Sequence, residues 1–207
     1  MFNFYEREEY LPVEKKYSVN EKDVIIMDYS PEFGDQYVEF ANETFGKNYI
    51  SKDELLTHVN RENEICTIAV EEKTNKLVGF CIFYEETPEE TMKNFQLSQD
   101  EFDKLCEKGK NICHVKSISI KEDHKKTGLS FELFERNVAK AKKLGFSVAL
   151  VGAWKRGDYV PAKKLLVNHG FLKLKTVPYL WYDDKNYNCV DCNGPCKCDG
   201  VVYYKNL

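Results

Sequence analysis

Hydrophobic positions recur along the chain with two different periods, which predict helices and short strands in one α/β (α+β) fold. The clearest helical period runs through residues 129–144, and residues 35–45 show a second one. The apolar stripe of the first consists of Leu129, Leu133, Phe134, Val138, Ala141 and Leu144. Gly145 suits the left-handed residue that ends many helices. Ser-x-x-Glu capping boxes predict further helices that begin at Lys52 and after Ser98.

Apolar and β-branched runs predict strands between these helices. They cover residues 24–27, 65–70, 77–84, 114–120, 148–154 and 201–204. The second and third runs are joined by a short polar segment, so they are expected to form an antiparallel hairpin with its turn near Thr74 and Asn75. A long helix joins the strands at 114–120 and 148–154. Such a connection is a right-handed crossover, which predicts that these two strands are parallel neighbours.

A short basic loop connects the strand at 114–120 to the long helix. It consists of Lys125, Lys126, Thr127, Gly128, Leu129 and Ser130. The first turn of a helix has unpaired backbone N–H groups and a positive dipole end, so this loop can hold a phosphate. We expect Gly128 where the backbone approaches the phosphate, because a side chain there would obstruct close contact. The alternative is an ordinary solvated, lysine-rich turn.

The charges are divided unevenly, although the formal net charge is only −4. Residues 1–100 carry 10 Lys/Arg against 22 Asp/Glu, whereas residues 101–175 carry 17 against 8. The basic block surrounds the loop and can attract a polyanion, and the acidic half can attract a cationic amine. The acidic overall balance and the lack of an aromatic-basic repeat argue against nucleic acid as a partner.

The composition is that of a globular protein. Hydrophobic residues make up 43% of the chain and aromatic residues 14%, which supports a core and excludes the disordered class. No apolar run approaches the roughly 20 residues that cross a bilayer. The acidic, aromatic N-terminus lacks a signal-peptide pattern. We therefore expect a soluble, cytoplasmic protein that has no membrane partner.

The order of these pieces resembles the GNAT superfamily of acetyl-coenzyme A-dependent N-acetyltransferases. In that family a central strand is followed by a loop of pattern Arg/Gln-x-x-Gly-x-Gly/Ala, a long helix, a splayed second strand and a short helix ending in Gly-Phe. Here the loop reads Lys125-x-x-Gly128-x-Ser130, and a short helix at residues 161–169 precedes Gly170 and Phe171. Lys125 and Ser130 depart from the pattern. The frequent catalytic tyrosine of the family falls at Leu166.

The resemblance implies a mixed, mostly antiparallel sheet with a splayed parallel strand pair and helices on both faces. Residues 1–20 are then an N-terminal extension, and residues 21–207 form a single acetyltransferase domain. Acetyl-coenzyme A is the implied cosubstrate. Its pantetheine arm would contact Ile118, Ser119 and Ile120, and its pyrophosphate the loop from Lys125 to Ser130. A helical insertion at residues 86–112 either lies over the acceptor site or is a surface helix without a role.

The resemblance does not identify the acid and base of the reaction. Tyr159 is one candidate acid, and Glu85 or Glu86 could serve as a base through water. His114 begins the central strand and could exchange protons near neutral pH. His124 could contact a phosphate. For each of these residues a packed or solvated structural role is the alternative, and a clustered cysteine could also replace the missing tyrosine.

Four of the eight cysteines fall together as Cys189-x-x-Cys192-x-x-x-Cys196-x-Cys198, on a loop before the last strand. Asn193, Gly194 and Pro195 form a turn between the two pairs. Four thiolates brought together in this way suit one tetrahedral zinc ion. Redox-active or free thiols and an iron–sulfur cluster are the alternatives. The other four are expected to be small buried hydrophobes; they are Cys66, Cys81, Cys106 and Cys113.

Three functions are compatible with these features. The first is acetyl transfer to an amine of a small molecule or peptide. The second is a non-catalytic relative that binds coenzyme A or senses metal or redox state, which the leucine at position 166 favours. The third is a metal-stabilised module that binds a partner protein, which explains the cysteines but leaves the basic loop without a role.

Overall fold

The computed structural model describes residues 15–19, 22–59, 63–106, 111–184 and 186–207, and the side chains from position 23 onward. Its strands are β1 Lys15–Val19, β2 Lys22–Asp28, β3 Gly46–Lys47, β4 Ile65–Glu71, β5 Lys76–Glu86, β6 Ile112–Ile120, β7 Val148–Lys155, β8 Leu172–Val177, β9 Asn188–Cys189 and β10 Asp199–Asn206. Its α-helices are α1 Gly34–Phe45, α2 Lys52–Val59, α3 Pro88–Asn94, α4 Gln99–Leu105, α5 Leu129–Lys143 and α6 Lys163–Asn168.

One sheet of eight strands organises the chain, in the order β1-β2-β4-β5-β6-β7-β10-β8. Neighbouring strands are antiparallel except for β6 and β7, which are parallel. The predicted fold class is therefore confirmed. Of the predicted extension, residues 15–19 form the edge strand β1, while residues 1–14 and 20 lie outside the described part.

The parallel pair opens at one end. Within the described residues β6 and β7 pair only as Ile112 with Val148, Cys113 with Ala149 and His114 with Leu150. Beyond this point β6 continues to Ile120 and β7 to Lys155 without direct pairing. The predicted divergence is thus present. It leaves a wedge between the two strands whose vertex is at His114.

A β-bulge interrupts β6 just past this vertex. Val115 pairs with Phe83 and Ser117 with Ile82, so Lys116 is an extra residue in β6. Bulges bend a strand and redirect its side chains, and they are frequent beside active sites. Here the bulge puts Lys116 at the start of the divergent half of β6.

Helix α5 covers one face of the sheet. Five of the six residues of its predicted stripe are buried; they are Leu129, Leu133, Phe134, Val138 and Ala141. The prediction was wrong for Leu144, which is 44% exposed because the helix ends at Lys143. Gly145 has the predicted left-handed conformation, with φ +84°.

A buried amide fixes α5 to the sheet. Asn137 is fully buried, and its Oδ1 accepts a hydrogen bond from Thr67 Oγ1 at 2.5 Å. Its Nδ2 donates to the carbonyl of Cys81 at 2.9 Å. One side chain therefore links α5 to β4 and β5 together, and it orients the helix whose N-terminus follows the basic loop.

The other face carries α1 and α2 at one end and α3 and α4 beside them. The described residues of the predicted insertion contain two helices, of which sequence analysis identified only α4, capped by Ser98. Helix α3 has its own capping box, formed by Thr87 and Glu90. No helix among the described residues is long and apolar enough to cross a membrane.

Candidate active site

The basic loop bends sharply before α5. Lys126 and Gly128 both have left-handed backbones, with φ +64° and +88°. Thr127 Oγ1 donates to the carbonyl of His124 at 2.7 Å, which holds the turn closed. Gly128 is the N-cap of α5 and provides no capping side chain, so the first turn of α5 presents backbone N–H groups at an open helix end.

The space in front of Gly128 is open. A Cβ added at this position would meet no atom within 4 Å. Crowding by neighbouring atoms of the protein is therefore not the reason for a glycine at this position. Two other conditions favour glycine: the left-handed backbone, and any ligand that approaches the helix end closely.

The charged residues of the loop differ in their accessibility. Lys125 and Lys126 are exposed, and Lys125 Nζ lies 2.5 Å from the Glu122 carboxylate. His124 is only 1% exposed and lies between Asp123, at 2.8 Å, and Glu71, at 3.2 Å. Both ring nitrogens thus face carboxylates. The geometry favours the structural alternative for His124, in which it joins the loop to β4, over the possible phosphate contact.

The divergent half of β6 carries the three residues expected to contact a pantetheine arm. Ile118 and Ile120 pack against the core under α5, while Ser119 Oγ lies 3.3 Å from Thr44 Oγ1 of α1. On one side β6 pairs with β5, up to Ile120 with Gly79. On the other side, the backbone edge of residues 115–120 faces the wedge without direct pairing to β7. An amide-containing chain could therefore hydrogen-bond along this edge.

A histidine–carboxylate pair occupies the vertex of the wedge. His114 Nδ1 lies 2.5 Å from Glu86 Oε1. The imidazole also contacts the rings of Tyr84 and Phe95, each with 4.8 Å between centroids. Because Nδ1 faces the carboxylate, Nε2 is the ring nitrogen that points away from Glu86. The arrangement can hold His114 in one orientation for proton transfer.

Helix α3 supplies two further partners of Glu86. Asn94 Nδ2 donates to Oε1 at 2.7 Å, and Thr91 Oγ1 donates to Oε2 at 3.2 Å. The Glu86 side chain is 1% exposed. Burial by itself raises the pKa of Glu86, but the His114 charge and these hydrogen bonds outweigh burial and lower it. Glu86 is therefore a carboxylate at neutral pH.

The remaining candidates lie apart from this pair. Glu85 alternates to the opposite side of β5 from Glu86, where it accepts a hydrogen bond from Asn63 Nδ2 at 2.8 Å. Tyr159 is 65% exposed in the turn after β7. Leu166 is 1% exposed in the core, so α6 offers no acid at this position. Of the predicted acid–base residues, the structure brings Glu86 and His114 together.

The four clustered cysteines converge in space. All four Sγ atoms lie within 4.8 Å of one another, and Cys198 Sγ is 3.5 Å from Cys192 Sγ and 3.9 Å from Cys189 Sγ. A tetrahedral zinc ion with Zn–S bonds of about 2.3 Å holds its sulfurs about 3.8 Å apart. Disulfide bonds are shorter, at about 2.05 Å, and all eight cysteines are free. The donor set fits one zinc ion.

The thiols of the cluster differ in acidity. Burial raises the pKa of Cys198 to about 11, and burial also raises the pKa of Cys196. Burial opposes ionisation of Cys189 as well, but backbone hydrogen bonds from Cys192 and Asp191 lower its pKa below the ordinary value. Of these three thiols, Cys189 is the one whose pKa the surrounding chain lowers.

Sequence comparison identifies the family. The profile of the Acetyltransferase (GNAT) family matches residues 28–171, which include the wedge, the basic loop, α5 and α6. The chain belongs to this family. Among curated proteins, none matches the sequence. The GNAT domain accounts for the parallel pair, the splay and the loop that sequence analysis predicted.

Solved GNAT structures share the fold. Arabidopsis thaliana NAA60 in complex with a bisubstrate analogue superposes with a TM-score of 0.65 at 12% identity, covering 88% of this chain and 97% of that one. An agmatine N-acetyltransferase mutant gives 0.62 at 13% identity, covering 89% and 99%. The ribosomal-protein-S18-alanine N-acetyltransferase of Escherichia coli gives 0.57 at 12% identity, covering 89% and 94%.

Proposed function

We propose that this GNAT protein transfers an acetyl group from acetyl-coenzyme A to a primary amine of a small molecule or peptide. One observation carries the proposal: the wedge between β6 and β7 leads from a glycine-capped, open helix N-terminus to the His114–Glu86 pair. One end suits a phosphate and the other suits proton transfer. Both amine types are represented among the similar structures, by an agmatine acetyltransferase and by protein N-acetyltransferases.

Acetyl-coenzyme A is held by two elements in this proposal. The backbone N–H groups at Gly128 and Ser130 bind the pyrophosphate, because the end of α5 is open and its dipole favours anions. The N–H of Leu129 between them donates to Thr127 Oγ1 at 3.4 Å, and it turns to the phosphate when the ligand binds. Lys125 and Lys126 add positive charge at an exposed position. The free backbone edge of Ile118, Ser119 and Ile120 binds the amides of the pantetheine arm.

His114 acts as the base. The amine nitrogen attacks the thioester carbonyl, the new C–N bond forms, the C–S bond breaks, and the thiolate of coenzyme A leaves. The proton of the amine passes to His114 Nε2, while Glu86 holds Nδ1 and stabilises the imidazolium. No acid on α6 serves the leaving group, since residue 166 is leucine; the thiolate takes its proton from the imidazolium or from water.

The four-cysteine cluster binds one zinc ion in this proposal. Cys189, Cys192, Cys196 and Cys198 would fill a tetrahedral shell, which makes the ion structural and leaves no position open for substrate. An iron–sulfur cluster places several irons between its thiolates, and sulfurs this close together leave room for a single ion. Thiols that bind metal suit a reducing compartment, which supports a cytoplasmic location.

One observation favours a second candidate function. Leu166 removes the acid that the family often carries, which is compatible with a relative that binds acetyl-coenzyme A without turnover. The two candidates differ in one measurement. Release of free coenzyme A that depends on the amine and is matched by formation of the acetylated amine occurs only if the protein is an acetyltransferase. Suitable acceptors for this assay are agmatine, spermidine and short peptides with free N-termini.

The cosubstrate site is tested by a matched pair of glycine variants. Gly128 and Gly145 flank α5 with nearly the same backbone, at φ +88° and +84°, and neither has an atom within 4 Å of an added Cβ. Alanine should therefore cost both sites similar stability, about 1 kcal/mol. We expect Gly128→Ala to weaken acetyl-coenzyme A binding at least tenfold, about 1.4 kcal/mol, because its methyl group projects into the phosphate approach.

Isothermal titration calorimetry measures both affinities. Gly145→Ala should retain wild-type affinity, since it lies at the far end of the helix. Equal affinities of the two variants would contradict the proposed phosphate site, because any effect of backbone strain is common to both.

A further inference from the structure

The cysteine segment is joined to the loop that connects α1 and α2. Strand β9 pairs with β3, as Gly46 with Cys189 and Lys47 with Asn188. Val190 N donates to the carbonyl of Phe45 at 3.1 Å. Tyr187 Oη donates to the same carbonyl at 2.7 Å. The contact therefore links a metal ligand directly to a segment about 140 residues earlier in the chain.

Gly46 allows this contact by its lack of a side chain. A Cβ at Gly46 would lie 2.0 Å from the carbonyl oxygen of Asn188 and 2.8 Å from the nitrogen of Val190. Its φ is +130°, a conformation that L side chains rarely adopt. The backbone of the cysteine segment thus lies directly against Gly46, and no other residue fits without moving one of the two segments.

The joined segments extend across the open part of the wedge. On one side Tyr49, three residues after Gly46 in the α1–α2 loop, lies under the ammonium group of Lys116 of β6, 5.4 Å from the ring centroid. On the other side Trp154 of β7 packs against the cysteine cluster. Arg156 stacks on Trp154 at 4.2 Å and pairs with Asp191 at 2.7 Å. We call residues 46–50 together with 187–198 the wall.

The wall lies on the sheet face opposite α5. Phe45 and Tyr49 pack on the core under α1, whereas the end of α5 that would receive the phosphates is on the other face. Coenzyme A would therefore enter from the α5 side. An amine that reaches the thioester from the opposite direction passes the wall.

Little regular structure holds the wall in place. Its two strands have two residues each, and its small core consists of Tyr187, Cys189 and Cys196 with partly buried neighbours. A metal ion that joins four ligands over ten residues would supply most of the order, since metal-binding energy in such sites contributes directly to folding. If the wall loosened, the structural change would be confined to the face of the sheet opposite α5.

We propose that the four-cysteine centre positions the acceptor site, so that metal occupancy controls amine binding and leaves acetyl-coenzyme A binding unchanged. The inference rests on the proposed acetyltransferase function. The metal holds Cys189, and therefore β9, against Gly46, and this fixes the wall beside which the amine binds. Loss of the metal releases β9 from β3 and raises the KM for the amine.

Intrinsic fluorescence provides a direct readout of the wall. The chain has two tryptophans, Trp154 and Trp181, and both pack against the cysteine cluster. We expect removal of zinc by a chelator to change their emission, and added zinc to restore it. Over the same steps the KM for the best amine of the acceptor panel should rise at least tenfold, while the Kd for acetyl-coenzyme A stays within about twofold.

A variant with all four cysteines intact separates the effect of the wall on amine binding from the effect of the metal. Gly46→Ala displaces β9 from β3, so it should raise the KM for the amine at least tenfold while the protein still binds one equivalent of zinc. Gly145→Ala, a left-handed glycine with open space, is the control and should leave KM unchanged. Serine variants of the cysteines could fail to fold, whereas Gly46→Ala keeps the metal that stabilises this region.

The outcomes distinguish this inference from the proposed function. If the zinc-loaded protein acetylates no amine of the panel, the acetyltransferase proposal fails and the acceptor role of the wall fails with it. If the loaded protein is active, but zinc removal and Gly46→Ala both leave the KM for the amine at the wild-type value, only the inference is overturned. A weaker Kd for acetyl-coenzyme A after zinc removal would also overturn it, since the two sites would then not be separate.

Discussion

Replacing His114 by glutamine is expected to lower kcat for acetyl transfer at least about a hundredfold, because a positioned general base contributes about 10²- to 10⁴-fold. Glutamine is of similar length, and its amide can still donate to the Glu86 carboxylate, which lies 2.5 Å from His114 Nδ1 in the wild-type protein. It cannot accept a proton from the amine at neutral pH. Steady-state release of coenzyme A measures the effect, and the Kd for acetyl-coenzyme A should not change.

Two carboxylate variants serve as controls for this result. Glu86→Gln removes the charge that stabilises the imidazolium and should lower kcat by less than His114→Gln does. Glu85→Gln alters the opposite side of the same strand and should leave kcat unchanged. If His114→Gln retains wild-type kcat, His114 is a packed core histidine and the base lies elsewhere.

Replacing Asn137 by alanine should destabilise the protein by about 3 kcal/mol. The change leaves the Thr67 hydroxyl and the Cys81 carbonyl without their buried partner, and each unsatisfied group costs about 1–3 kcal/mol. Removal of the amide also leaves a cavity between α5 and the sheet. Urea unfolding followed by circular dichroism measures the free energy of unfolding.

Glu135→Ala is the matched control on the same helix. Glu135 is exposed, so its substitution should change the free energy of unfolding by less than about 0.5 kcal/mol. If Asn137→Ala were as mild as this control, water or a shifted side chain would be satisfying Thr67 and Cys81. The amide would then not be the anchor of α5.

The elements that the sequence predicted well are those with a strong local pattern. The stripe of α5 and the apolar run of β7 are each visible within a single window of the chain, and the capping box at Ser51 marks the start of α2. The parallel arrangement of β6 and β7 followed from the handedness of crossover connections. Local pattern failed at Leu144, where the apolar period continues one residue beyond the helix.

The parts that the sequence did not predict depend on distant contacts. Strand β8 contains Lys173 and Lys175 and lies at the sheet edge, where exposure weakens the apolar signal. The pairing of Glu86 with His114 joins residues 28 positions apart across β5 and β6, and its support from α3 required a helix that the pattern did not show. The cysteine spacing suggested a metal, but it contained no information about the contact of Cys189 with Gly46.

The splay also divides the sheet into two parts. One part contains β1, β2, β4, β5 and β6, and the other contains β7, β10 and β8. Within the described residues, only three residue pairs of β6 and β7 join the two parts directly. A small rotation about this joint would change the width of the wedge most at its far end and least at its vertex. His114 lies at the vertex, so this rotation could admit and release a long ligand while the separation of His114 from Leu150 stays nearly constant.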